Sequence, residues 1–156
     1  MPLVRILVDG YSLLHSWPEL APKAPRHSQQ AREALIAILQ KYRDAKQIPI
    51  TLFFDGQGAP SGTPKQPSTH ELEILFSVPG KTADDLIERT AYRLRDYGEV
   101  LVVTDDNAER DTVRSFGVNT SSCLGFISEI ESIVSEQAVD LKRLNRDERE
   151  RWGRRK

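Results

Sequence analysis

Asp9, Asp55, Asp105 and Asp106 each close an apolar run, and Asp84 and Asp85 open a helix-forming stretch just after another. If those runs are strands of one parallel sheet, five or six carboxylates from distant segments collect on a single edge. A lone Asp in such a place has an ordinary explanation, because Asp is favoured at turns and helix N-caps. The collection is harder to explain that way. Carboxylates within about 4–6 Å of one another repel and raise each other's pKa unless a cation neutralises them. Mg²⁺ or Mn²⁺ suits such oxygen ligands. No softer site competes, since His15, His27 and His70 are scattered and Cys123 is the single cysteine. A divalent cation there can acidify water and stabilise charge on a phosphoryl group. The chemistry this suggests is phosphodiester hydrolysis.

Those carboxylates need strands to hold them. Residues 4–8 form an apolar run that ends at Asp9-Gly10, as a strand ends at a turn. Residues 16–27 contain Pro18, Pro22 and Pro25 and read as a loop. Ser28 caps a predicted helix reaching about Lys46, with Ala31, Leu35, Ile38, Leu39 and Tyr42 at helical spacing. Residues 50–54 form a second strand, ended by Asp55-Gly56, and a Gly- and Pro-rich loop covers 57–69. Residues 72–78 form a third strand. Thr82 and Asp85 have capping-box spacing and open a helix to about Tyr97. Residues 100–103 form a fourth strand, closed by Thr104-Asp105-Asp106. A helix over about 108–115, a short strand at 118–120, a turn at 122–126 and a helix from 127 onward complete the chain. Strands alternating with helices predict an α/β domain with a mostly parallel sheet covered on both faces. Right-handed crossovers place the strand C-termini on one edge, where ligand sites of open sheets form.

At 156 residues, 38% hydrophobic and 29% charged, the chain reads as one globular, soluble domain. No apolar run approaches the roughly 20 residues that span a bilayer. The opening MPLVRILVDG lacks the features of a secretion signal, so a cytoplasmic location is expected. A single cysteine excludes a disulfide framework and a multi-Cys zinc site. The net charge of −1 conceals its distribution. Residues 142–156 hold eight basic and three acidic residues, a balance of +5, which leaves −6 for residues 1–141. The chain therefore divides into an acidic body, 1–141, and a basic tail, 142–156, expected to extend the last helix.

In that tail Lys142, Arg143, Arg146, Arg149, Arg151, Arg154, Arg155 and Lys156 form either an RNA-binding arm or a solvated helix end. Trp152 stacks on a base or packs on the body. Near the acidic edge, Tyr11 and Trp17 face the same choice between stacking and core packing. Lys81 meets a phosphate or is a solvated loop lysine. Gly80-Lys81-Thr82 is no P-loop, because Leu75 stands where the upstream glycine belongs. A covalent aspartyl phosphatase is disfavoured, because Tyr11 replaces the second acid of Asp-x-Asp.

The segments ILVDGYSLLHSWPEL, TLFFDGQG, ILFSVPGKTADDLIER and LVVTDDNAERD, in this order, resemble the YacP-like group of NYN-domain ribonucleases in the PIN-like nuclease superfamily. The pattern spans nearly the whole chain, and its opening block is fairly specific. The resemblance implies a three-layer α/β/α PIN-like fold and a metal-dependent endoribonuclease. It implies that Asp9, Asp84 and Asp106 bind metal and catalyse, with Asp55 in support. Asp85 stands where the family commonly has Glu. Asp105 stands where it often has Ser, and is either an extra ligand or a cap. Ser12 stands where the family usually has Asn, and keeps a hydroxyl in place of the amide's paired donor and acceptor.

The expected function is hydrolysis of single-stranded RNA with Mg²⁺ or Mn²⁺. Family members have been linked to ribosome-associated RNA cleavage, which extends the expected partner to mRNA on the ribosome. The alternative is a non-catalytic RNA- or ribosome-binding module, favoured by Ser12. A third reading is a small-molecule phosphatase that has no use for the tail.

Overall fold

Residues 3–25, 28–56 and 71–153 are described by a computed structural model. Five strands, β1 (Leu3–Asp9), β2 (Ile50–Phe54), β3 (Leu72–Phe76), β4 (Glu99–Val103) and β5 (Asn119–Ser121), form one sheet. Their order is β3-β2-β1-β4-β5 and every pairing is parallel. The helices are α1 (Gly10–His15), α2 (Gln29–Lys46), α3 (Ala83–Leu94), α4 (Asn107–Ser115) and α5 (Cys123–Gly153). The fold is α/β, as the alternation of patterns predicts.

β2 is buried at all five positions, which explains its unbroken apolar run. Alternate residues of the strands feed two cores. Ile6, Val8, Leu52 and Phe54 pack with Leu13, Leu35, Leu39, Phe126 and Ile130 of α1, α2 and α5. Leu7, Phe53 and Val102 pack with Ile87, Ala91 and Val113 of α3 and α4. Helices thus cover both faces. The chain builds outward from β1 through β2 to β3, then crosses back to β4 and β5. The order therefore reverses between β1 and β4, and open α/β sheets bind ligands in the crevice outside the strand C-termini at such a point. Val8 pairs with Val103 in the register, so Asp9 and Thr104 leave the sheet side by side.

Four elements differ from the sequence expectation. Asp9-Gly10 opens α1 instead of a turn and loop: Asp9 is its N-cap, and Leu13 and Leu14 are buried beneath it. Six residues are too few for a periodic signal to show. Residues 122–126 are not a turn. α5 begins at Cys123, and Cys123, Phe126, Ile127 and Ile130 form a buried stripe at i, i+3, i+4 and i+7. Gly125, which reads as a turn residue, lies inside that helix. β3 stops at Phe76, and α3 ends at Leu94 in a 3-10 turn over Arg95–Tyr97. α5 continues to Gly153, so the division at 141/142 falls inside one helix. No helix among the described residues is long and apolar enough to cross a membrane.

Candidate metal centre

Asp9, Asp84 and Glu109 each present one carboxylate oxygen, and the three oxygens lie within 4.8 Å of one another. Each arrives by a local device. Asp9 ends β1 and caps α1. Its Oδ2 accepts from Ser12 Oγ at 3.0 Å and its Oδ1 from Ser12 N–H at 3.4 Å. Gly10 makes this approach possible, because a Cβ there would collide with the Phe54 ring. Asp84 is in the first turn of α3. Thr82 Oγ1 accepts from Asp85 N–H at 3.2 Å, and Asp85 Oδ2 accepts from Thr82 N–H at 3.2 Å. That reciprocal cap leaves Asp85 exposed and Asp84 half-buried.

Glu109 comes from α4. Asp106 caps this helix, its Oδ1 accepting from Glu109 N–H at 3.1 Å. Thr104 Oγ1 donates to Glu109 Oε2 at 3.1 Å and accepts from Asp106 N–H at 3.1 Å. Glu109 is 2% exposed, and its Oε1 has no donor among the described residues. The ion pairs found there are both made by Arg43, with Asp44 and Glu71. None reaches the trio.

Burial pushes the Asp9 carboxyl up to about 6, against the Ser12 hydrogen bonds and with help from Asp84. Burial also drives Glu109 strongly upward, with Asp84 and Asp9 adding to it and Thr104 opposing. Glu88, one turn beyond Asp84, is raised by burial and by the charges of Asp84, Asp85 and Asp106. Three carboxylates with one buried, orphaned oxygen form an acceptor set in search of a positive centre. A small hard cation with ~2.1 Å bonds sets opposite ligands ~4.2 Å apart, so the trio needs only slight closure or a bridging water. The residues fit a divalent cation.

The sequence-predicted residues divide by place. Asp9 and Asp84 are in the trio, and Asp106 is outside it as the cap of α4. Asp55 accepts from Ser77 Oγ at 3.2 Å, while Ser77 Oγ accepts from Gly56 N–H at 2.9 Å. Asp105 binds Ser16 and Cys123. Tyr11 is partly buried, with its ring centroid 4.9 Å from that of Phe54 and its hydroxyl 3.4 Å from Arg32 Nη1. Trp17 is 5% exposed and lines a cavity of about 250 Å³ beyond the end of α1. Lys81 sits in the turn before α3, its N–H donating to Val78 O at 3.1 Å. Lys142, Arg143, Arg146 and Arg149 are exposed on α5. The side chains of Arg151 and Trp152, and all of Arg154, Arg155 and Lys156, lie outside the described part of the chain.

Glu109 is the residue that sequence reading missed. A signal for it exists: Glu109 shares the inward stripe of α4 with Val113, one turn on. A carboxylate in an apolar stripe breaks the local pattern, as functional positions tend to do.

A crystal structure of Rae1 (YacP) from Bacillus subtilis is similar to this chain, with a TM-score of 0.79 and 26% identity, covering 95% of this chain and 84% of that one. A point mutant of Rae1 gives a TM-score of 0.77 and 25% identity, over 92% and 84%. An uncharacterized protein YacP of Bacillus subtilis (strain 168) is 28% identical over 129 residues, 82% of this chain and 75% of that relative. The family model for the YacP-like NYN domain matches residues 6–155. This chain, with its carboxylate trio at the crevice of the sheet, therefore belongs to the YacP-like NYN family, which is nuclease-like.

Proposed function

We propose that this protein is a divalent-metal-dependent endoribonuclease that hydrolyses phosphodiester bonds in single-stranded RNA. One observation carries the reading: a carboxylate oxygen of Glu109, a residue whose Oε1 is buried without a donor, converges with oxygens of Asp9 and Asp84. Asp9, Asp84 and Glu109 hold the ion. The all-oxygen donor set selects Mg²⁺ or Mn²⁺ over softer metals. Such a cation supplies Lewis acidity, acidifying water and neutralising charge on a phosphoryl group.

The chain's own groups do the remaining work. Ser12 engages both oxygens of Asp9 and so limits how that carboxylate can turn. Thr104 and Asp106 do the same for Glu109, one holding its Oε2 and the other its helix turn. Asp9 and Asp84 are half-buried, so the open side of the trio faces the crevice and a substrate. The acidic edge alone repels a polyanion, and the exposed Lys142, Arg143, Arg146 and Arg149 provide a counterweight that holds RNA. The resemblance to the family makes mRNA on the ribosome the natural setting.

The test is cleavage of a labelled single-stranded RNA with Mg²⁺, Mn²⁺ or excess chelator, by wild type and Asp9→Asn. Metal-dependent cleavage lost in Asp9→Asn supports the reading. Full activity in chelator overturns it.

A further inference from the structure

Asp105 is exposed and stands outside the trio, yet both of its carboxylate oxygens are engaged. Oδ2 accepts from Ser16 Oγ at 3.0 Å, across 89 residues of sequence. Oδ1 accepts from the backbone N–H of Cys123 at 2.9 Å, across 18 residues. Ser16 is the C-cap of α1, and Cys123 is the first residue of α5. One carboxylate thus joins the end of one helix and the start of another to the tip of β4.

α1 has six residues, too few to hold its own shape in isolation. Leu13 and Leu14 seat it on the core, and its two ends are gripped by carboxylates. Asp9 caps the first end and is itself a member of the trio. Asp105 grips the second. The three residues at the tip of β4 act in concert: Thr104 holds Glu109, Asp106 caps α4, and Asp105 reaches the opposite face to hold α1 and α5.

We propose that Asp105 is a positioning residue for the metal centre, pinning α1 and α5 to β4 so that Asp9 is held in register with Glu109. The proposal rests on the metal-centre reading. It separates cleanly from a role as an extra ligand. A ligand needs the charge, whereas a clamp needs only the shape and the hydrogen bonds. Asp105→Asn keeps an acceptor for the Cys123 N–H, and the Ser16 hydroxyl can turn to accept from the new amide. Asp105→Ala removes both bonds.

The experiment is calorimetric titration of the full chain with Mn²⁺. Asp105→Ala should weaken binding on the order of 10-fold, the usual cost of losing a group that orients metal ligands. Asp105→Asn should stay close to wild type. Ser16→Ala should fall between, and Ser16→Ala with Asp105→Ala should be no weaker than Asp105→Ala alone, because both remove the same contact. In the RNA assay, Asp105→Ala should lower kcat and leave KM unchanged, since the tail is intact. Wild-type Mn²⁺ affinity in Asp105→Ala overturns the proposal. So does Asp105→Asn as weak as Asp105→Ala, which would make the charge itself the ligand. If Asp105→Ala fails to fold, wild-type affinity in Ser16→Ala overturns it instead. A wild-type protein that takes up no Mn²⁺ overturns the metal centre as well; a wild type that binds normally beside unaffected variants overturns the clamp alone.

Discussion

The Thr104 hydroxyl donates to Glu109 Oε2 at 3.1 Å, holding a carboxylate that is 2% exposed. The other oxygen, Oε1, is buried without a donor, in a side chain that converges with Asp9 and Asp84. Half of Glu109 is thus satisfied by the fold and half is left for a cation.

Glu109→Gln should separate stability from function. Its amide supplies a donor beside Asp84 and, unlike the carboxyl, needs no proton taken up to stay neutral in the interior, so metal-free protein should gain about 1–2 kcal/mol. Mn²⁺ affinity and RNA cleavage should both collapse. Melting in chelator together with Mn²⁺ titration checks the two opposite signs.

Thr104→Val should act the other way. It deletes the donor to Glu109 and the acceptor of the Asp106 N–H, both at a buried residue. The expected loss is about 1–3 kcal/mol of stability, with weaker metal binding. Urea denaturation, with the m-value unchanged, measures it.

The pH dependence has a defined sign. A carboxyl raised in the folded state binds more protons there than in the unfolded chain. Its contribution therefore favours folding at low pH and is lost as pH rises through the window between the two values. For Asp9 that window runs from 3.8 to about 6, and Glu109 extends it upward. Metal-free protein should melt progressively lower as pH rises from about 5 to 8, by about 2–4 °C per kcal/mol lost. A divalent cation should reverse the trend, because its ligands must be deprotonated. Thermal melts across pH, with and without Mg²⁺, test both slopes; a flat metal-free profile would count against the buried trio.

Gly10→Ala should damage the site through packing. The added Cβ meets the Phe54 ring and comes within 3.0 Å of Phe53 O. Backbone displacement at α1 should cost about 1–3 kcal/mol and shift Asp9 with it. Lowered melting temperature with weakened Mn²⁺ binding is the expected pair of readouts.

Removing residues 142–156 should lower RNA affinity and flatten its salt dependence, since the tail carries a balance of +5. Mn²⁺ affinity should not change. Filter binding over a range of salt concentrations, beside calorimetry, checks this.

Much of this arrangement is legible in the chain. Apolar runs ended by Asp predicted β1, β2 and β4, because a strand buried on both faces must be apolar and must stop where its carboxylate turns to water. The Thr82–Asp85 spacing marked the start of α3, because capping is local chemistry. α1 and the start of α5 were not legible. A six-residue helix shows less than two turns of periodicity, and Gly125 signals a turn wherever it stands.

The site divides along the same line. Sequence alone determined that Asp9 and Asp84 sit at one edge of a parallel sheet, because right-handed crossovers bring every strand end to that edge. It pointed to Asp106 and passed over Glu109. Both open α4: Asp106 caps it by local chemistry, and only the packing of α4 against the body of the fold buries Glu109. Nor could it separate ligand from clamp at Asp105, whose partners Ser16 and Cys123 meet it only across the folded sheet. Carboxylate chemistry is written in residue type and local spacing. Which carboxylate loses its water, and so gains the need for a cation, is decided by burial, and burial belongs to the tertiary structure.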